Sequence, residues 1–358
     1  MLANGGNGCQ HKSAREGRMT GQQRRCGWLT ALISMGLAAS ATADPIADFY
    51  RGRNVNLLIG IAVGASYDRE ARLIARHIAN HIPGNPTIVP QNMVGAGGML
   101  MASHFAAAAA RDGSTLGMMA NTIPMNQAVG LEGARYGAAR FHWIGSVMPP
   151  TRSAMIAWHT SGLNTLEDAR RRPAVAGTSP KGSFLYTITA LVNQFAGTKF
   201  KIVSGYQGIA SVYLAMERGE VDAVPVTWSE FKNERPELVS GAKIRVLLQS
   251  GSRAGDLPDV PVIEELLASA EDRAVVDLLL SGNKLGRPLA AAPGSPPERV
   301  AALRAAFQAM IRDPAFVADA QSSKADIGPI TGEEIAADVE RILAVPDAVR
   351  QRAKGVLQ

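Results

Sequence analysis

Cysteine is scarce in this sequence. Of the 358 residues two are cysteine, Cys9 and Cys26, and both precede residue 44. From 44 onward the chain has no thiol, so disulfides and thiolate chemistry are closed to it. A membrane-spanning run is also missing. The apolar stretch at 28–39 has twelve residues, whereas crossing a bilayer takes about 20. Charge of one sign is lacking too. The net charge is +6, but residues 1–43 hold Lys12, Arg15, Arg18, Arg24 and Arg25 against Glu16 alone, which leaves 32 basic and 30 acidic side chains in the rest. A nucleic-acid partner needs a dense basic face. The only basic triplet is Arg170, Arg171 and Arg172, read as a solvated last helical turn where cations suit the dipole. No nucleic-acid partner is expected.

The motifs of catalysis are equally thin. Residues 95–98 (GAGG) begin like a dinucleotide fingerprint, but Leu100 stands where the third glycine is required, and no acidic ribose partner follows at the right distance. Residues 177–182 (GTSPKG) do not form a G-x-S-x-G nucleophile elbow. His77 and His81 are four apart, but no Glu takes the metalloprotease position between them; they read as solvated helix histidines. The expectation is a non-enzyme without cofactor or metal.

What is present begins with an export signal. Arg24 and Arg25 supply the charged start, residues 28–39 the apolar core, and Ala41 and Ala43 the small-x-small cleavage pattern. Cleavage after Ala43 would leave Asp44 as the new N-terminus. Met19 is a candidate start, which would make 1–18 an over-early beginning. No Cys follows the apolar run, so no lipid-attachment site is expected. The product reads as a soluble exported protein, periplasmic in a Gram-negative cell.

The remainder is 46% hydrophobic by the whole-chain figure, with mean hydropathy near zero, as suits about two globular domains. Residues 55–61 (VNLLIGI) form a predicted strand, 62–67 a small-residue loop, and Ala71, Ile74, Ala75 and Ile78 the apolar face of a helix from Asp68. Ser66 or Asp68 can cap that helix. In an open α/β sheet the first turn of such a helix lies where ligands bind, and its unpaired N–H groups favour an anion. Strands and helices then alternate, with predicted strands at 115–120, 142–147, 153–158, 174–178, 199–204, 221–227, 244–249 and 287–292. This alternation implies parallel sheets made of right-handed βαβ units. Pro149 and Pro150 mark a candidate crossover. Five loops follow strands and are rich in Gly, Ser, Thr and amide groups: 62–67, 121–124, 178–183, 205–208 and 227–229. Such loops hold a carboxylate or phosphate without a metal. The candidate ligand residues are Val63, Gly64, Ala65, Ser66, Tyr67 and Asp68; Asn121 and Thr122; Thr178, Ser179, Lys181, Gly182 and Ser183; Tyr206, Gln207 and Gly208; and Trp228. Asp68 reads as a helix cap before a ligand contact, Lys181 as a solvated loop lysine, and Tyr67, Tyr206 and Trp228 equally as packing or cleft-lining residues.

Nine stretches, in order, carry a family resemblance: 48–53 (DFYRGR), 60–72 (GIAVGASYDREAR), 82–87 (IPGNPT), 91–97 (QNMVGAG), 112–117 (DGSTLG), 203–208 (VSGYQG), 218–222 (RGEVD), 257–261 (LPDVP) and 293–299 (PGSPPER). Each is weak alone, and the ordered set is specific. The chain resembles the substrate-binding receptors of tripartite tricarboxylate transporters, the Bug-type receptors. The resemblance implies an α/β fold of two Rossmann-like lobes joined by two crossover segments, similar to type II periplasmic binding proteins. The lobes would be 44–147 plus 253–358, and 148–252. It also implies one small carboxylate-bearing organic anion in the cleft, gripped by 63–68 and 178–183 with 206–208 nearby. Delivery would be to a permease of two integral-membrane subunits, with the receptor a monomer. The chain departs from the family at Ala65, Ser66 and Tyr67, where glycines are common, and at Pro180 and Lys181, which are bulkier than usual. A receptor signalling to a sensor kinase, or an exported α/β enzyme acting on small acids, are the alternative readings.

Overall fold

The computed structural model describes residues 44–358; the expected export segment 1–43 and its cut at Ala43 lie outside them. The chain lays down β1 (Asn54–Ile59), β2 (Thr87–Asn92), β3 (Thr115–Met118) and β4 (His142–Ser146), then β5 (Ser153–Trp158), β6 (Ala174–Thr178), β7 (Phe200–Ser204), β8 (Ala223–Thr227) and β9 (Ile244–Gln249), and last β10 (Leu289–Ala291) and β11 (Ile330–Thr331). Two sheets result. The first has the order β11-β4-β10-β3-β1-β2 and the second β7-β6-β8-β5-β9. The second is built from one continuous stretch. The first is completed by β10, which returns after the second sheet to lie between β3 and β4.

The expected all-parallel sheets are corrected to mixed ones. β1 is parallel to β2 and β3, and β6 to β7 and β8. β10, however, is antiparallel to β3 and β4, and β5 to β8 and β9. The short edge strand β11 is antiparallel as well, to β4. Of the three, β5 and β10 are strands that the chain enters from the other sheet. No local crossover helix sets their direction, so the βαβ rule does not govern them.

Local chemistry explains most element bounds. Val55, Leu57, Leu58 and Ile59 are all buried, as both faces of a central parallel strand require. The helix Ser66–Ile78 buries Ala71, Leu73, Ile74 and Ile78. These join Tyr50, Leu57, Ile59, Phe307 and Phe316 in one cluster on the first sheet. A helix expected to run to Val239 is instead two, Trp228–Glu234 and Pro236–Ser240. Pro236 disfavours the helical conformation at Arg235, which sits at φ −130°, ψ 51°. The expected loop 121–124 is shortened by a helix, Ile123–Ala128, with Pro124 in its first turn.

A second cluster, including Val212, Met216, Val224 and Phe231, lies on one side of the second sheet. A third is continuous across both sheets, joining Leu58 and Trp143 to Leu191 and Leu248, and on to Leu279 and Leu357. The helix Asp347–Val356 packs on Ala270–Leu279 and on Phe184–Ala196. Among the described residues no helix is long and apolar enough to cross a membrane.

Candidate functional site

The carboxyl ends of β1, β3, β6, β7 and β8 open onto one cavity of about 400 Å³. After β1, the N-cap of the helix Ser66–Ile78 is Ala65, which offers no side-chain oxygen. The expected cap by Ser66 or Asp68 is therefore not formed. Asp68 turns away from the cavity: its Oδ2 accepts from the Gly64 N–H at 2.9 Å, and its carboxylate also accepts from Arg72 Nε at 3.0 Å and Asn92 Nδ2 at 2.9 Å. Burial would raise its pKa, but those three partners outweigh it and hold the carboxyl below the usual range. The first-turn N–H groups of Ser66 and Tyr67 have no acceptor among the described residues, and both residues line the cavity.

Tyr67 also ties the site together. Its Oη accepts from the Asn121 N–H at 3.1 Å, and its ring lies 4.8 Å from the Arg287 guanidinium. Burial pushes its phenol up to about 12.

Across the cavity stand the loops of the second sheet. Ser183 caps the helix Phe184–Ala196 by accepting from the Tyr186 N–H at 3.4 Å. The N–H groups of Phe184 and Leu185 have no acceptor among the described residues. Gly208 is the N-cap of Ile209–Glu217, again with no side-chain cap, and the Ile209 N–H is unpartnered in the same way. Phe184, Leu185, Gly208 and Ile209 all line the cavity. The two sets of loops touch: the Gly182 carbonyl accepts from Thr122 Oγ1 at 2.9 Å and from Asn126 Nδ2 at 2.8 Å. Gly97, at φ +63°, backs onto the same turn so closely that a Cβ there would lie 2.6 Å from Gly182 C and Ser183 N.

Of the residues singled out in the sequence, the structure brings Ala65, Ser66, Tyr67, Asn121, Thr122, Ser179, Ser183, Tyr206, Gln207 and Gly208 to the cavity wall. It does not bring the others. Val63 is 71% exposed and stands off the cavity wall. Gly64 and Asp68 are bonded to each other. Thr178 is fully buried, with its Oγ1 unpartnered. Lys181 lines a separate recess beside Lys354, and the Gly182 carbonyl faces Thr122 and Asn126. Trp228 packs in the core against Phe231, with its indole N–H donating to Asp256 Oδ2 at 3.0 Å.

The sequence reading missed several wall residues: the turn 95–98, Glu230, Glu234 and Arg287. Arg287 is the central one. Its Nη1 donates to Glu70 Oε2 at 2.9 Å and its Nη2 to Glu230 Oε1. Burial works against the guanidinium's charge, but Glu230 and Glu70 overcome this and raise its pKa. Burial pushes Glu70 up to about 7, against the lowering by Arg287. Glu234 is bonded to Arg69. The available signals were a lone arginine at the head of a predicted strand and Glu230 and Glu234 at i, i+4 after β8. Among the described residues no cluster of three or more His, Cys, Asp or Glu could hold a metal ion.

No protein-family model matches the chain, and no curated protein matches it in sequence. Solved structures do. The periplasmic binding protein BugD is 19% identical, with 86% of this chain and 98% of that one aligned at a TM-score of 0.64. MatC from Rhodopseudomonas palustris, solved with bound malate, is 21% identical over 86% of this chain and 99% of its own, at a TM-score of 0.62. Another R. palustris protein, solved with adipate, is 21% identical over 85% and 97%, at 0.64. The shared feature is the fold: two mixed α/β sheets arranged as in periplasmic binding proteins.

Proposed function

We propose that this protein is an extracytoplasmic solute-binding receptor of the tripartite tricarboxylate type, binding a small carboxylate-bearing organic anion without turning it over. The observation that carries the reading is the convergence of three helix N-termini on one cavity, those of Ser66–Ile78, Phe184–Ala196 and Ile209–Glu217, each with unpartnered first-turn N–H groups. Such an end carries roughly half a positive charge and is a ready anion site. The malate and adipate held by two proteins of this fold support the same class of ligand, as do the nine ordered stretches of sequence.

The lobes are assigned as 44–147 plus 253–358, and 148–252. The first lobe meets the ligand through the amides of Ser66 and Tyr67. The second then swings onto it as a hinged body, bringing the amides at Phe184, Leu185 and Ile209. Thr122 and Asn126 reach the Gly182 carbonyl and Arg69 reaches Glu234, and swinging the lobes apart would break these contacts. These contacts and the ligand therefore favour the same state, which is what closure requires. The closed form is the one a two-subunit membrane permease would recognise. In this reading the protein works as a monomer in the periplasm after removal of residues 1–43.

Thermal unfolding of residues 44–358 against mono-, di- and tricarboxylates, amino acids and sugars tests the proposal. An organic anion at a hundred times its Kd should add about 2.7 kcal/mol of stability by mass action. Stabilisation by neutral sugars and by no anion would refute it.

A further inference from the structure

We infer that the cleft selects acids with one carboxylate on an apolar body over di- and tricarboxylates, and that Glu230 sets this preference. The inference rests on the carboxylate reading of the site. Among the described residues three charged side chains lie on the cavity wall, Glu230, Glu234 and Arg287, and Arg287 is the cation of the three. It is not available to a ligand: its side chain is 8% exposed, its Nη1 is held by Glu70 and its Nη2 by Glu230, and its face stacks on Tyr67. The two carboxylates come from different helices, one from Ser66–Ile78 and one from Trp228–Glu234. Glu234 is matched by Arg69.

A first carboxylate needs no side-chain cation, because helix N-termini receive it. A second one, at the far end of the ligand, would meet Glu230 as a like charge in a confined space, where screening is weak. Taking Arg287 for itself would leave Glu230 or Glu70 without its cation, a heavy cost for a buried carboxylate. The rest of the wall favours hydrocarbon: Ile61, Val94, Phe184, Leu185, Ile209 and Val226 line it. Each methylene buried there should multiply affinity about fourfold. The malate and adipate seen in proteins of this fold are both diacids, so this wall marks a divergence in ligand class.

Isothermal titration calorimetry on the intact mature chain decides the matter with matched pairs: hexanoate and adipate, benzoate and terephthalate, together with 6-aminohexanoate and hexanamide. Each monoacid should bind at least tenfold tighter than its diacid. Glu230→Gln should narrow that gap by raising adipate affinity; the wild-type series stands on its own should that variant not fold. Adipate binding as tightly as hexanoate, or 6-aminohexanoate binding tightest, would overturn the inference and leave the anion receptor intact. No binding by any of the six would likewise overturn the inference, whereas hexanamide binding with no acid binding would overturn the receptor reading itself.

Discussion

Glu70 is a carboxylate with one satisfied oxygen. Oε2 accepts from Arg287, while Oε1 is buried and has no partner. Burial lifts its pKa from 4.5 to about 7, so between those values the folded chain holds a proton that the unfolded chain has released. Stability must then fall as pH rises through that window and level off above it. Thermal unfolding followed from pH 4 to 8 should show the wild type losing stability relative to Glu70→Gln, by at most about 1.4 kcal/mol per pH unit. Parallel curves for the two proteins would mean that Glu70 does not titrate there. Sequence reading saw the acid at 68 and passed over the one at 70. Both stand at the start of the same helix, and what separates them is the partner: Asn92 and Gly64 hold Asp68, whereas Arg287 lies 217 positions along the chain from Glu70. Spacing in one helix carries no information about an arginine delivered by a distant strand.

At the level of elements, the helix Ser66–Ile78 was legible because its apolar face repeats with the helical period and its loop is made of small residues. Strand positions were legible for a similar reason. Strand direction was not, since β5 and β10 are oriented by connections between sheets. The glycines at 95–98, which fail the dinucleotide pattern, form a tight turn, with Gly97 and Gly98 at positive φ before Met99–Ala108. Its closeness to Gly182 had no trace in the sequence. That contact makes Gly97→Ala informative. The added methyl would strike Gly182 and Ser183 backbone, and φ +63° is already unfavourable for alanine. The variant should keep its far-ultraviolet circular dichroism, show a larger radius of gyration by small-angle scattering, and bind ligand at least tenfold more weakly. Unchanged affinity would show that the two loops need not meet for binding.

For the molecule as a whole, the proposed closure includes a few polar contacts between loops. Asn126→Ala removes one donor to the Gly182 carbonyl, a bond of about 0.5–1.5 kcal/mol. Since the proposed closed form includes that bond, stopped-flow measurements should show ligand leaving about two- to tenfold faster, with the association rate little changed. An unaltered off-rate would remove this contact from the closing step. The alternation of elements made an α/β architecture legible, and the structure has two mixed α/β sheets. It could not reveal that one apolar cluster runs through both sheets, because Leu357 and Leu279 reach Leu191 only after the chain has turned back.

The place of β10 constrains how the chain can reach its final state. A strand in the middle of the first sheet leaves the ribosome after every strand of the second. Until residue 291 has emerged, β3 and β4 have a gap between them, whereas β5–β9 already possess all their neighbours. The sheet β5–β9 closes within one continuous stretch, whereas β3 pairs with a strand that follows that whole sheet; the shorter loops favour β5–β9 maturing first. Pulse-labelled hydrogen exchange during refolding should find amides of β6 and β8 protected ahead of those in β3, and simultaneous protection would mean that both sheets condense in one cooperative event.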